Sequence, residues 1–264
     1  MTKGAGSDDP APFVMRGGGV AIEGHQVLEG VDLTIASGEF VALLGENGSG
    51  KTTLLRAFLG LAPVTSGSLQ VLGQDVRRFG AWTQIAYVPQ RLMAQTAVPV
   101  SVAEAVRAAR ISPLRRFRPD PSGARAATET ALQQVGLWSR RHERLDTLSG
   151  GQQRRVMVAR ALAIGARTLL LDEPTAGVDA DSELRMADTL ADMHADGCTI
   201  VLVTHDLGAI TEMADHIVVL GGRGVGRVLY DGPPPPPREL YDHVWHHNED
   251  LAPSRHQRPG LVSE

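Results

Sequence analysis

The chain has 264 residues, of which 42% are hydrophobic, enough to bury a sizeable core as one large domain or a domain with a smaller lobe. Its formal net charge of −4 speaks against a general nucleic-acid binder, and no nucleic-acid partner is expected. No apolar run approaches the roughly 18 residues that suggest a membrane span, so any role at a membrane must pass through a partner.

The first stretch, residues 1–11, carries acidic residues and prolines but no apolar core of a secretory signal. With a single cysteine and no CxxC pair, it points to a cytosolic protein in a reducing compartment. FVMRGGGVAIEGHQVLEGVDLTI reads as short strands and turns, with Gly17–Gly19 weakening the strand pattern locally. EFVALL, residues 39–44, is a short apolar run that enters the loop GENGSGKTT, and KTTLLRAFLGL then has helical character. GSLQVLGQDV and IAYVPQ add further short strands. Residues 91–165 differ in texture, being rich in Ala and Arg, and read as a helical lobe inserted between strands. SVAEAVRAAR opens with a capping box, Ser101 with Glu104, and a second helix is expected over about 122–135. Arg107, Arg110, Arg115, Arg116, Arg118 and Arg125 gather there, either as a solvated basic face or as a docking surface for an acidic partner or lipid headgroups.

After LSGGQ, the run GQQRRVMVARALAIG keeps helical spacing. TLLLDEP and TIVLVTHD are nearly continuous apolar runs, as expected of parallel strands covered on both faces, and together with EFVALL they should share one central sheet. The helix over 182–197, ended by Gly197, supplies their crossover. Cys198 reads as a small buried residue beside a strand. Beyond LYDG, the five prolines at 233–237 suggest a stiff, extended spacer, followed by a polar tail outside the folded domain, which spans 12–232.

GENGSGKTT fits G-x-x-x-x-G-K-[ST]. Gly45, Gly48 and Gly50 let backbone N–H groups turn toward phosphates, with Glu46, Asn47, Ser49 and Thr53 completing the cradle. Lys51 would reach the β/γ oxygens, and Thr52 would offer its hydroxyl to Mg²⁺. Asp172 and Glu173 close a buried strand and should divide the work. Asp172 suits the magnesium shell, while Glu173 could polarise a water for attack on the γ-phosphate. His205 ends another strand, where it could sense and orient the same phosphate, and Gln90 offers a neutral amide that can ligate magnesium. Ser149, Gly150, Gly151 and Gln152 make a second helix N-terminus prepared for an anion. One P-loop suffices for one nucleotide, so this second site is expected to serve the ATP of another copy of the chain, arranged head to tail as a homodimer that buries two ATP molecules.

In their order, GENGSGKTT, YVPQ, LSGGQ, LLLDEP, AGVD and THD resemble the ATP-binding subunits of ABC transporters, from about residue 13 to 232. The resemblance implies an α/β P-loop NTPase with a RecA-like core, an antiparallel β subdomain and an inserted helical subdomain. It implies ATP and Mg²⁺ as cofactors, Glu173 as catalytic base, His205 as switch histidine and Gln90 as the link between nucleotide and membrane partner. Asp179 would lie in the loop that crosses the dimer interface. Where the family stacks an aromatic ring on adenine, this chain has Ile22, which implies weaker nucleotide binding. YVPQR…VPVSVAEAV, THDLGAI and VLYDGPP look like the ATPases of zinc and manganese uptake systems, which implies an integral membrane permease, an extracytoplasmic metal-binding protein and a place on the inner face of the cell membrane. The tail histidines His243, His246, His247 and His256 are open to two readings, a metal-buffering segment or a polar end. The alternatives are the same engine on another permease, for an iron chelate or for export, a soluble ABC ATPase, and a regulatory module that only binds nucleotide.

Overall fold

A computed structural model describes residues 10–90, 99–110, 123–174, 179–204, 213–222 and 224–240. Among the described residues, ten strands form two sheets. β1 (Phe13–Ile22), β2 (His25–Ile35), β4 (Val64–Val71) and β5 (Gln74–Asp75) make an antiparallel sheet in the order β2-β1-β4-β5. β3 (Phe40–Gly45), β6 (Ile85–Val88), β7 (Thr168–Asp172), β8 (Thr199–Val203), β9 (His216–Gly221) and β10 (Arg227–Gly232) make the second, in the order β10-β9-β3-β8-β7-β6. All of its pairings are parallel except that of the edge strand β10.

The three apolar runs singled out in the sequence are its centre, β3-β8-β7, and each of these strands is buried throughout. Strand alternation sorts their side chains between two cores. Phe40, Ala42, Leu44, Leu169, Leu171, Ile200 and Leu202 face one side, where the helices α2 (Val102–Ala108), α3 (Gly123–Gln134), α4 (Gly150–Ile164) and α5 (Ala180–Ala195) supply much of the rest of the cluster. Val41, Leu43, Leu170, Val201 and Val203 face the other, packed with α1 (Lys51–Phe58) and the antiparallel sheet. Phe13 of β1 stacks on Phe58 of α1 with ring centroids 4.3 Å apart, tying that sheet to the helix that follows the P-loop.

Local chemistry sets the element ends. Ser101 caps α2 with the expected box, its hydroxyl accepting from Glu104 N while Ser101 N donates to the Glu104 carboxylate. The crossover helix α5 starts two residues earlier than expected because Asp179 caps it, accepting from Ser182 N at 2.9 Å. Gly197 takes a left-handed φ of 83° just past its end. β1 remains one strand despite its three glycines, with register shifts on either side of Gly18 and Gly17 at φ 53°. Cys198 is buried, and burial pushes its thiol pKa up, away from reactivity.

One reading changes. The proline run does not stand away from the domain as a spacer: Pro236 is buried and Leu240, in the turn that follows, packs against the helical-side core. Of the basic cluster, Arg110 is exposed but tethered, its guanidinium donating to Ala163 O at 2.5 Å in the last turn of α4. Arg115, Arg116 and Arg118 lie outside the described residues, as do the tail histidines. Among the described residues no helix is long and apolar enough to cross a membrane.

Candidate functional site

Parallel strands bring their C-terminal ends to one edge of the sheet, the usual place for a ligand crevice in an open α/β sheet. From β3 leads the loop 45–50, from β6 Gln90, from β7 Asp172 and Glu173, and from β8 Thr204. His205 follows Thr204 in the sequence and lies outside the described residues. At this edge is a cleft of about 370 Å³ lined by Val27, Asn47, Gly48, Gly50, Lys51, Thr52, Thr53, Gln90 and Glu173.

The loop is built for an anion. Gly45, Gly48 and Gly50 have φ of 146°, 83° and 96°, values that L side chains resist. A Cβ at Gly45 would lie 2.1 Å from Leu220 O, so the loop also needs glycine to pass β9. No side chain caps α1, whose N-cap is Gly50, and the Ser49 hydroxyl is buried with no hydrogen-bond partner. Uncapped N–H groups, a helix dipole and an orphaned hydroxyl fit phosphate oxygens. Lys51, only 6% exposed, donates from Nζ to Gly45 O at 2.7 Å and to Glu46 O at 2.8 Å. Burial lowers its pKa, opposed by the nearby Glu173, Asp172 and Glu46.

Across the loop, Thr52 Oγ1 donates to Asp172 Oδ2 at 2.9 Å. Asp172 is almost fully buried, and that burial raises its pKa against the opposing hydrogen bonds from Thr52 and Tyr87. A hydroxyl and a carboxylate this close are hard oxygen donors of the kind a magnesium ion takes, with the rest of its shell left to water and phosphate. Glu173, the next residue, has φ 48°, an uncommon conformation for a non-glycine residue and one that separates its direction from that of Asp172. Its carboxylate accepts from Gln90 Nε2 at 2.5 Å, so two residues picked separately from the sequence meet.

Six of the predicted positions lie outside this cleft, Ile22 and the five residues expected to meet the nucleotide of a second copy. Ile22 is half-buried at the end of β1, packed against the core shared with α1, and Val27 of β2 lines the cleft instead. Ser149 and Gln152 form a reciprocal capping box on α4: Gln152 N donates to Ser149 Oγ at 3.3 Å and Ser149 N to Gln152 Oε1 at 3.0 Å. Neither they, nor Gly150 and Gly151, nor Asp179 line the cleft of their own chain.

Tyr87 and Arg154 were not foreseen. The Tyr87 hydroxyl lies 3.3 Å from Asp172 Oδ2, and burial with the Asp172 charge pushes its pKa up to about 12. Arg154, in the second turn of α4, is lowered in pKa by burial while the Glu173 charge nearby opposes the shift. The signal for Tyr87 was its place in IAYVPQ, an aromatic hydroxyl three residues before Gln90 on a strand bound for the cleft. No comparable signal marks Arg154.

Residues 28–176 match the family model described as ABC transporter. The chain is 34% identical over 210 residues to the zinc uptake system ATP-binding protein ZurA of Listeria innocua, covering 79% of this chain and 80% of that one. It is 41% identical over 207 residues to the aliphatic sulfonates import ATP-binding protein SsuB 1 of Pseudomonas fluorescens, with 78% and 72% covered. Among solved structures, cbiO1 of Clostridium perfringens, part of the ABC transporter complex cbiONQ, superposes with a TM-score of 0.74 at 27% identity, covering 86% of this chain and 90% of that one.

Proposed function

We propose, from the premise that this chain belongs to the ABC transporter family and is an ATP-hydrolysing subunit of that family, that it powers import of zinc or manganese through a separate membrane permease. The observation that carries the hydrolytic part is the convergence of Thr52, Asp172, Gln90 and Glu173 on one phosphate-ready cleft. In this reading the loop N–H groups and Lys51 hold the β and γ phosphates, and Thr52 and Asp172 hold Mg²⁺, which supplies charge neutralisation at the phosphates when bound. Glu173 takes a proton from the attacking water once Gln90 lets it go. His205, two residues past β8 in the sequence, is assigned contact with the γ-phosphate.

The homodimer reading is supported by the placement of α4. Its N-terminus is capped and exposed, and it stands outside the chain's own cleft. Gly150 opens α4, and a Cβ there would meet nothing within 4 Å. Packing inside this chain does not require glycine there; a glycine suits close approach by the nucleotide of a second copy, with Asp179 beside the same interface. The permease would hold the dimer at the inner face of the membrane and receive metal from an extracytoplasmic binding protein.

Zinc or manganese as cargo is supported by the YVPQR…SVAEAV pattern and by the ZurA relative. The sulfonate relative shows that the same engine is matched by subunits with other cargo. Zinc, manganese and iron measured by mass spectrometry in cells lacking the chain decide between them. Loss of zinc or manganese is expected, restored by the wild type and not by Glu173→Gln. Unchanged metals with impaired growth on an alkanesulfonate as sulfur source would replace the metal reading with an organic-anion one.

A further inference from the structure

The least expected contact in the cleft comes from β6. This strand pairs in parallel with β7, Tyr87 opposite Leu170 and Val88 opposite Leu171. The tyrosine reaches along its neighbour to the carboxylate two residues beyond its register partner. Asp172 Oδ2 therefore stands between two hydroxyls, Thr52 from α1 at 2.9 Å and Tyr87 from β6 at 3.3 Å. The carboxylate is 2% exposed, so solvent does little to orient it.

The two hydroxyls are not equivalent. Thr52 is the residue whose oxygen would be given to a cation, and when it is, its hold on Asp172 is spent. Tyr87 comes from the neighbouring strand β6, outside the P-loop helix, and remains as a donor. We propose that Tyr87 is a positioning residue for the cation site: its hydroxyl fixes the rotation of the Asp172 carboxylate so that the other oxygen is presented beside Thr52. The inference rests on the reading of Thr52 and Asp172 as the Mg²⁺ pair. A carboxylate ligand held by an outer hydrogen-bond donor binds its metal in a defined orientation, and loss of such a donor costs about 10–100-fold in metal affinity or activity. The phenol is suited to the task because its hydroxyl can donate to the carboxylate from a ring packed against the core.

Tyr87→Phe removes the hydroxyl and keeps the ring, which packs at the edge of the core shared with α1. The full chain and the variant would be titrated by calorimetry with the non-hydrolysable analogue AMP-PNP, once in excess Mg²⁺ and once in EDTA, with thermal denaturation of each as a control for folding. The variant is expected to bind about tenfold more weakly in Mg²⁺ and within about twofold of wild type in EDTA, where phosphate contacts alone are read. Equal weakening in both buffers would make Tyr87 a packing residue and overturn the proposal, as would no change in either. A wild type that binds equally well with and without Mg²⁺ would instead remove the cation reading of Thr52 and Asp172 on which it rests.

Discussion

Two helices in this molecule begin at glycine-rich loops, and they begin in opposite ways. α1 opens on Gly50, left-handed and uncapped, with Ser49 buried and unpartnered beside it. α4 opens on Ser149, extended, with its first N–H groups engaged by a reciprocal Ser149–Gln152 box. The first terminus has no side-chain cap and a buried hydroxyl without a partner; the second has the N–H groups of Ser149 and Gln152 capped by its own side chains and faces solvent. A phosphate loop that holds its own nucleotide must be preformed and open. A loop that meets a nucleotide held elsewhere must keep its shape alone until the partner arrives.

The largest effect expected from this contrast belongs to Gly150. The Gly150→Ala variant places a methyl in open space, so the isolated chain should be as stable as wild type or more so by up to about 1 kcal/mol. Its ATPase activity should nevertheless fall on the order of a hundredfold, because a displacement of about an ångström between phosphate and donor is costly in a closed site. Full activity in Gly150→Ala would mean that α4 does not face a phosphate at all.

At Gly50 the same substitution acts on the chain itself. The residue has φ 96°, and a Cβ would lie 2.5 Å from Leu28 Cδ2 on β2. Gly50→Ala should lower stability by roughly 1–3 kcal/mol, read from the denaturant midpoint, through a left-handed alanine and a displaced leucine. If Gly50→Ala were as stable as wild type and Gly150→Ala were not, the two loops would have exchanged roles and the comparison would fail.

How much of this could be read from the residues depended on the range of the interaction. GENGSGKTT announced a phosphate loop because the spacing of its glycines and lysine is itself the geometry. TLLLDEP and TIVLVTHD announced central strands because burial on both faces leaves an unbroken apolar run. HIVVLG is such a run too, and it forms β9 beside β3; its length and composition were signal enough, but it carries no motif to draw attention. The pairing of Gln90 with Glu173 and of Tyr87 with Asp172 lay beyond the sequence because each depends on β6 and β7 being neighbours, which strand order decides. Val27 in the cleft is a similar case. Its position follows from Gly226 N donating to Val27 O at 2.8 Å and from the close approach of Gly226 to Ser49 O, contacts between segments some 200 residues apart.

The smallest expected effect tests whether stability and the cleft can be separated by pH. At the sheet edge opposite the cleft, His216 at the start of β9 sits between two carboxylates, Nδ1 at 2.8 Å from Glu39 and Nε2 hydrogen-bonded to Asp231 of β10. The Asp215 carboxylate beside it is taken up by His194 at 3.0 Å and by Phe40 N. With both ring nitrogens facing acceptors, the imidazolium is the form that fits, and the hydrogen bond to Glu39 is the main reason its pKa is raised above 6.5, against the opposing cost of burial. A raised folded-state pKa means that the charged ring stabilises the fold fully below the unfolded value and that this contribution is lost as pH climbs through the folded one. Denaturant midpoints of wild type and His216→Gln should therefore differ most on the acid side of that window and converge above it, while AMP-PNP affinity in the variant stays as in wild type at every pH. Parallel midpoint curves would mean that His216 is neutral in the fold and only one of its carboxylates is bonded as a charged acceptor. A shift in nucleotide affinity would mean that the two edges of the sheet are coupled through β3, the strand that begins beside Glu39 and ends in the phosphate loop.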